Sequence, residues 1–291
     1  MSASLGDKLF YQINGLILGL IALSCLLPII HVAALSLSDP HYIVSGSVSF
    51  WPRGWSLDSY NLLINGTRII QSFVNSLVIT VVGVALSLAF TILAAYPLSR
   101  SYMYGRRFFT LAIVFTMLFS GGMIPTYLVV KSLGLMNTYG AIWLPALVST
   151  YYMLIMRSFF ANIPGELEEA ARIDGCGEFR YMMRIVLPLS LPVIATVSLF
   201  YAVGYWNSFI SVLLYIQDID KYNLAVLVQR MIKSQSLLQE INNLPVQEQT
   251  AVTPEGIKSA GIIVMVIPML IIYPFLQKYF IKGVMIGAIK G

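Results

Sequence analysis

The sequence predicts an all-α, polytopic membrane protein with six transmembrane helices, and three observations carry the prediction. The 291 residues are 58% hydrophobic and 11% charged, with a mean hydropathy of +0.79, whereas a soluble domain carries about a quarter charged residues. Six windows hold no Asp, Glu, Lys or Arg: 9–38, 69–99, 108–130, 132–156, 185–217 and 259–277. Each can hold a helix of roughly 20 residues, the length that crosses the hydrocarbon core. No window shows the ten-residue alternation of a membrane β-barrel, and a lipid-embedded backbone satisfies its own hydrogen bonds most simply as helix.

The elements are expected in the following order. Met1–Phe10 has no small-residue cleavage site ahead of its apolar run, and that run is too long for a signal sequence, so a retained first span is expected at about 10–37. His31, near the end of this span, reads as an interfacial polar residue rather than a ligand. An outer loop, about 38–70, contains Pro40, Trp51, Pro52, Gly54 and Trp55; its paired tryptophans read as membrane-interface anchors rather than a ligand site. The second span, about 71–98, carries Pro97, which ends or kinks it. The third, about 108–130, is interrupted by Gly121, Gly122 and Pro125. This interruption reads either as a helix terminus in a tight turn or as a break lining a pathway.

The fourth span covers about 138–160, and a polar loop follows at 161–186. The fifth, about 187–214, carries Tyr201, Tyr205, Trp206 and Asn207. A long polar outer loop at 216–258 includes Asp218, Asp220, Gln247, Glu248, Gln249 and Thr250, and the sixth span covers about 259–280. Neither an internal repeat nor a low-complexity tract is visible. Cys25 falls in a span and Cys176 in a loop, so both are expected to be free thiols.

Six spans put both termini on one side of the membrane. That side carries Lys8, Arg100, Arg106, Arg107, Arg157, Arg172, Arg180, Arg184, Lys278, Lys282 and Lys290. The other carries Arg53, Arg68, Lys131, Lys221, Arg230, Lys233 and Lys258, in longer loops. The excess of cations in short loops predicts cytoplasmic termini and a cytoplasmic 161–186 loop. The formal net charge of +5 is spread among these loops and gives no nucleic-acid signal.

The stretch Glu166–Pro192 stands out, because it gathers five acids, Glu166, Glu168, Glu169, Asp174 and Glu178, in a chain poor in charge. Pro164 suits a helix start, and the glutamates sit where the macrodipole favours them. Leu167, Ala170 and Ala171 fall three and four residues apart, and their alanines allow close approach of another surface. Gly175 falls where a left-handed cap is wanted; Gly177 permits a second bend before a short helical run, Glu178–Arg184. On composition alone this is a solvated loop between spans, but the pattern also fits a docking element.

Several chemistries are excluded by what is missing. There is no Gly-x-x-x-x-Gly-Lys-Ser/Thr loop to cradle nucleotide phosphates, and no Cys/His cluster with metal spacing. No Asp, Glu, Lys or Arg lies deep in a predicted span, where secondary transporters place coupling groups. Energy is therefore expected to enter from outside the chain. A stand-alone secondary transporter or channel is the alternative; it needs an intramembrane charge relay or a pore ring, and neither is visible. A non-transporting scaffold is a third reading, which predicts no dependence on ATP.

Glu169-Ala170-Ala171, three residues, Gly175, nine residues, then Ile185-x-Leu187-Pro188 resembles the cytoplasmic coupling motif of permease subunits in ABC importers. Asn75-Ser76-Leu77, the run Ile124-Pro-Thr-Tyr through Leu133-Gly-Leu-Met-Asn-Thr138, and Trp206-Asn207-Ser208-Phe209 are similar to the sugar-importing, maltose-type branch, over roughly residues 10–291. The similarity is to the smaller of two unlike permeases. Gly121-Gly122-Met-Ile-Pro125 resembles a sub-branch associated with oligosaccharides from plant or algal polysaccharides. The resemblance implies a single permease domain over 1–291 that is not itself an enzyme and carries no cofactor, with ATP and Mg on separate ATPase subunits. It implies a cytoplasmic (inner) membrane location and, as partners, a second unlike permease, two ATPase subunits, an extracytoplasmic solute-binding protein and a sugar. Glu169, Ala170, Ala171, Asp174, Gly175, Ile185, Leu187 and Pro188 become the candidate ATPase-coupling residues. Tyr205, Trp206 and Asn207 become candidates for the substrate path, since aromatic faces and amides suit sugars.

Overall fold

In the computed structural model the described residues are 5–233 and 253–288, and these form helices joined by turns and loops. They are α1 (Leu5–Ser36), α2 (Pro40–Val44), α3 (Asp58–Gly66), α4 (Ile69–Ser99), α5 (Arg106–Leu118), α6 (Met123–Ser132), α7 (Gly140–Trp143) and α8 (Thr150–Ala161). There follow α9 (Gly165–Ile173), α10 (Glu178–Tyr181), a π-helical turn (Met182–Val186), α11 (Leu187–Leu189), α12 (Leu191–Trp206) and α13 (Ile210–Tyr215). A 3₁₀ turn (Ile219–Lys221), α14 (Leu224–Ile232) and α15 (Pro254–Ala288) complete the chain. It packs as two compact units, one of residues 1–70 and 227–267, the other of 71–226 and 268–291.

In the first unit, Leu63 of α3, Met231 of α14 and Ile257 of α15 are fully buried. Ala34 packs with Ile43 and Val48. The loop between α1 and α4 is tied back by polar contacts: Tyr60 Oη donates to Ser36 Oγ at 2.9 Å, and Asp39 caps α2 by accepting the His41 N–H. His31 donates from Nδ1 to the Ser49 carbonyl at 2.6 Å, which gives its polar ring a local partner. Trp51 and Trp55 are exposed and meet edge to face. Along the apolar span Leu9–Ser36 of α1, burial within the described structure is confined to the C-terminal end, at Ala34 and Ser36.

In the second unit, Ile79 of α4, Met153, Met156 and Phe160 of α8, Val186, Val197 of α12 and Val212 of α13 are fully buried in one core. Two hydroxyl pairs cross it, Ser87–Tyr205 and Thr91–Tyr201, each 2.8 Å. Both lie between α4 and α12, where unpaired hydroxyls would be costly. The segment 216–226 is pinned by polar side chains. Asn75 Nδ2 donates to the carbonyls of Asp220 (2.7 Å) and Tyr222 (2.9 Å), and Ser76 Oγ accepts the Leu224 N–H. Asn137, held at φ 60°, accepts the N–H groups of Gln217 and Asp218 on its side-chain oxygen. Short polar side chains tolerate that left-handed conformation.

Among the described residues, three helices are long and apolar enough to cross a membrane: Leu9–Ser36, Ile69–Ser99 and Pro254–Ile272. The window 108–130 is not one helix. α5 and α6 meet at 113°, and the break falls at the Gly121–Gly122 pair. Gly122 takes φ 86°, ψ 175°, a region essentially restricted to glycine. The window 187–214 is also bent, by 80°, at Ser190 ahead of Pro192. The window 138–160 is divided into α7 and α8; the Ser149 N–H at the start of α8 is satisfied by Tyr201 Oη at 2.9 Å. Pro97 lies inside α4, which stops two residues later at Ser99. The 216–258 loop is described only as far as Lys233 and from Thr253. Gln247, Glu248, Gln249 and Thr250 lie outside the described residues.

Candidate functional site: the 161–192 segment

α9 opens at Gly165, with Pro164 as its N-cap rather than in its first turn. Glu166 and Glu168 lie in that first turn, beside the positive end of the helix dipole. The helix closes in a Schellman motif. Gly175 N–H donates to the Arg172 carbonyl at 3.0 Å and Cys176 N–H to the Ala171 carbonyl at 2.8 Å, with Gly175 at φ 71°. A Cβ at Gly175 would meet no atom of this chain within 4 Å, so the demand for glycine comes from the backbone and not from intrachain crowding.

The structure divides the residues expected on one face. Ala171 points inward and is buried, while Leu167, Glu169, Ala170, Asp174 and Gly175 are exposed. Ile173 is 87% exposed and Phe179 67%. An apolar side chain left that open on a helix this short and charged is suited to burial by another surface. The sequence reading passed over these two. The available signal was a large apolar residue set among acids and cations, at a spacing that matches no core face.

α10 runs without interruption into the π-helical turn, where the Leu187 N–H reaches the Met182 carbonyl. Pro188 has no N–H to give to Arg184, so a looser turn just ahead of it costs little. Ile185 and Leu187 are half-buried against the main core and Pro188 is exposed.

An ionic network fastens this segment to the end of α4. Arg100 Nη1 donates to Glu168 Oε2 at 2.9 Å. Arg172 bridges Glu168 (2.9 Å) and Glu178 (3.3 Å). Glu178 Oε2 also accepts the hydroxyls of Tyr96 (2.7 Å) and Tyr102 (2.8 Å). Burial opposes ionisation of Glu178, but the Tyr96 and Tyr102 hydroxyls and the Arg172 guanidinium outweigh it and hold the carboxyl below its ordinary range. Burial, then the hydrogen bond to Glu178, pushes the Tyr102 phenol up, so it stays a donor. Arg157 Nε adds a bond to the Leu98 carbonyl at 2.9 Å.

Of the residues expected along a substrate path, Tyr205 and Trp206 are buried and Asn207 is exposed. Tyr205 Oη meets Ser87 at 2.8 Å and the Ala146 carbonyl at 3.4 Å, and Trp206 packs edge to face on Phe73. Asn207 Nδ2 donates back to the Val203 carbonyl, closing the end of α12. A cleft of about 730 Å³ lies alongside, lined among others by Ser149, Tyr152, Tyr205, Asn207 and Phe209. Tyr205 and Asn207 thus share one cleft, and Trp206 is not among its lining residues.

This geometry has known counterparts. The chain is 44% identical to the polygalacturonan/rhamnogalacturonan transport system permease protein YtcP of Bacillus subtilis (strain 168), with the whole of both chains aligned. It is 45% identical to the protein LplC of the same organism, over 98% of this chain and 96% of the relative. Among solved structures it is similar to a chain of a bacterial ABC transporter involved in import of the acidic polysaccharide alginate. The TM-score is 0.87 at 30% identity, covering 96% of this chain and 99% of that one. The profile of the family described as "Binding-protein-dependent transport system inner membrane component" matches residues 13–286. With described residues that are helical, apolar spans, a polar helix pair tied to the end of α4 and this similarity along its length, the chain belongs to that family of inner-membrane components of binding-protein-dependent transport systems.

Proposed function

We propose that the chain is the permease subunit of an ATP-driven importer of oligosaccharides, forming half of a pathway that opens alternately to each side. The observation that carries this reading is α9, a short charged helix braced by ion pairs on one side and open on the other, where Leu167, Ala170 and Ile173 are exposed. In this reading Glu169, Ala170, Asp174 and Gly175 form the surface that a partner ATPase subunit grips, and the buried Ala171 seats α9 on the core behind it. Ile185, Leu187 and Pro188 relay its movement into α12 through the π-helical turn. ATP and Mg sit on the ATPase subunits; this chain performs no catalysis. Two ATPase subunits, a second unlike permease and an extracytoplasmic binding protein complete the importer, with both termini and the 161–186 loop cytoplasmic. The 216–258 loop faces the binding protein.

The substrate class is an oligosaccharide rich in acidic sugars. That class is supported by the relative named for polygalacturonan and rhamnogalacturonan and by the alginate importer. Tyr205 and Asn207 border the sugar path, and Trp206 supports it from behind by packing on Phe73. Expression with the partner permease, ATPase subunits and binding protein tests the whole. Vesicles holding the assembly take up labelled oligogalacturonide only with ATP and loaded binding protein. Uptake that persists without ATP restores the stand-alone transporter.

A further inference from the structure

The last turn of α4 is where the polar helix pair meets the spans, and a buried arginine sits at the junction. Arg100 is 7% exposed. Its guanidinium lies 4.8 Å from the Tyr96 ring centroid and 5.6 Å from that of Tyr181. Nη1 reaches Glu168 of α9, whereas the buried Nε and Nη2 have no hydrogen-bond partner among the described residues. A buried arginine usually grips a carboxylate with two parallel bonds, which fix the angle between the groups. Arg100 holds Glu168 by one nitrogen and is otherwise faced by aromatic rings. Those rings stabilise a planar cation without fixing its rotation. The contact at Glu178 is of the opposite kind: three donors, Tyr96, Tyr102 and Arg172, converge on one carboxylate and clamp α10 to the same turn. The α10 end is clamped to that turn, whereas α9 meets the end of α4 through the one Arg100–Glu168 bond, its other ties running through Arg172 to Glu178 and to the Tyr102 ring at 4.8 Å.

We infer that Arg100 is a positioning residue, the swivel through which movement of α9 is passed to α4. The inference rests on the docking role proposed above for α9. A swivel makes a demand that a rigid strut does not: charge pairing alone is insufficient, and the planar group between the rings is needed as well. Arg100 bonds α9 at Glu168, which is not one of the proposed docking residues, so altering it leaves those residues unchanged.

The test uses the complete importer in vesicles, with recovery of the ATPase subunits, basal ATP hydrolysis and hydrolysis stimulated by loaded binding protein all measured. The double variant R100M/E168M removes both charges of the pair together, which avoids stranding the buried one. It is expected to recover the ATPase subunits and keep basal hydrolysis, while stimulation falls about tenfold, within the range of ordinary coupling energies. Arg100→Lys keeps the charge and loses the plane; it is expected to assemble fully with an intermediate loss of stimulation. Full stimulation in either variant overturns the inference. If the double variant does not assemble, Arg100→Lys decides: assembly with reduced stimulation supports the swivel, and failure to assemble overturns it in favour of a purely structural role. An unaltered chain that recovers no ATPase subunit overturns the docking reading itself.

Discussion

Gly83 lies so close to the ring of Tyr205 that a Cβ at position 83 would sit 2.8 Å from both Cδ2 and Cε2. The missing side chain is what lets the ring of α12 lie flat on α4. Small residues commonly serve this purpose between membrane helices, where close packing replaces the hydrophobic drive. The Tyr205 hydroxyl then reaches Ser87 and is held there. Tyr205 therefore borders the cleft as a fixed wall.

Gly83→Val is expected to push α4 from α12, costing about 1–3 kcal/mol as other overpacked cores do. Tyr205→Phe keeps the wall and loses the hydroxyl, at a cost of about 1 kcal/mol for the lost bond. Thermal unfolding of the purified chain, read beside oligosaccharide uptake, separates them. Gly83→Val lowers both, while Tyr205→Phe lowers stability slightly and leaves uptake. Loss of uptake in a well-folded Tyr205→Phe protein assigns the hydroxyl to the sugar.

The break between α5 and α6 rests on one backbone conformation. A Cβ at Gly122 meets nothing within 4 Å, yet its φ of 86° is strained for any other residue. Gly122→Ala is expected to cost about 1–3 kcal/mol by strain alone. The neighbouring Gly121→Ala should be nearly neutral, since its Cβ meets one atom of Pro125 at 4.0 Å and its φ is not positive. Unfolding midpoints of the two variants, compared in the same detergent, check this; equal midpoints contradict it.

Much of this fold was legible in the sequence because charge is excluded from lipid. The charge-free windows therefore marked where apolar helices lie, and Gly175 marked the end of α9. The windows did not reveal where helices break. Gly121–Gly122 left two readings open, and the division at Pro145–Ser149 depends on Tyr201, 52 positions from Ser149. The brace under α9 was equally hidden. Arg100 and Glu168 are 68 positions apart, Tyr96 and Glu178 82 apart. Arg100 entered the sequence reading as one cation in an orientation tally. Only the fold brings it to Glu168.

The Glu178 cluster has a defined pH window. The Glu178 carboxyl is held below its ordinary value, so its contribution is present above the unfolded value and lost as pH falls through the folded one. The Tyr102 phenol is raised, so its contribution is present below the unfolded value and lost as pH rises through the folded one. Stimulated ATP hydrolysis by the importer is expected to be flat between these limits. Glu178→Gln should keep its neutral hydrogen bonds, lose the pairing with Arg172, and remove the acid limb of the profile. An acid limb unchanged in Glu178→Gln assigns that limb to another group.

Asn75 ties the segment 216–226 to the head of α4 by two bonds. Asn75→Ala is expected to lose about 1–3 kcal/mol locally and to loosen that segment. Limited proteolysis of the solubilised importer should cut the variant faster there, with assembly of the ATPase subunits unchanged. An unaltered cleavage rate means that Asn137 and Ser76 suffice to hold the segment.

The central claim is that α9 passes the work of ATP hydrolysis into the spans, and the exposed Gly175 that ends α9 is the place to test it. Gly175→Asp places a Cβ at φ 71°, at a cost on the order of 1 kcal/mol, in open space on this chain but at the proposed docking surface. The measurement is oligosaccharide uptake beside binding-protein-stimulated ATP hydrolysis in reconstituted vesicles. The variant should insert and meet its partner permease, yet lose uptake and no longer raise hydrolysis in response to loaded binding protein. Uptake and stimulation both near the unaltered level would contradict the coupling role of α9.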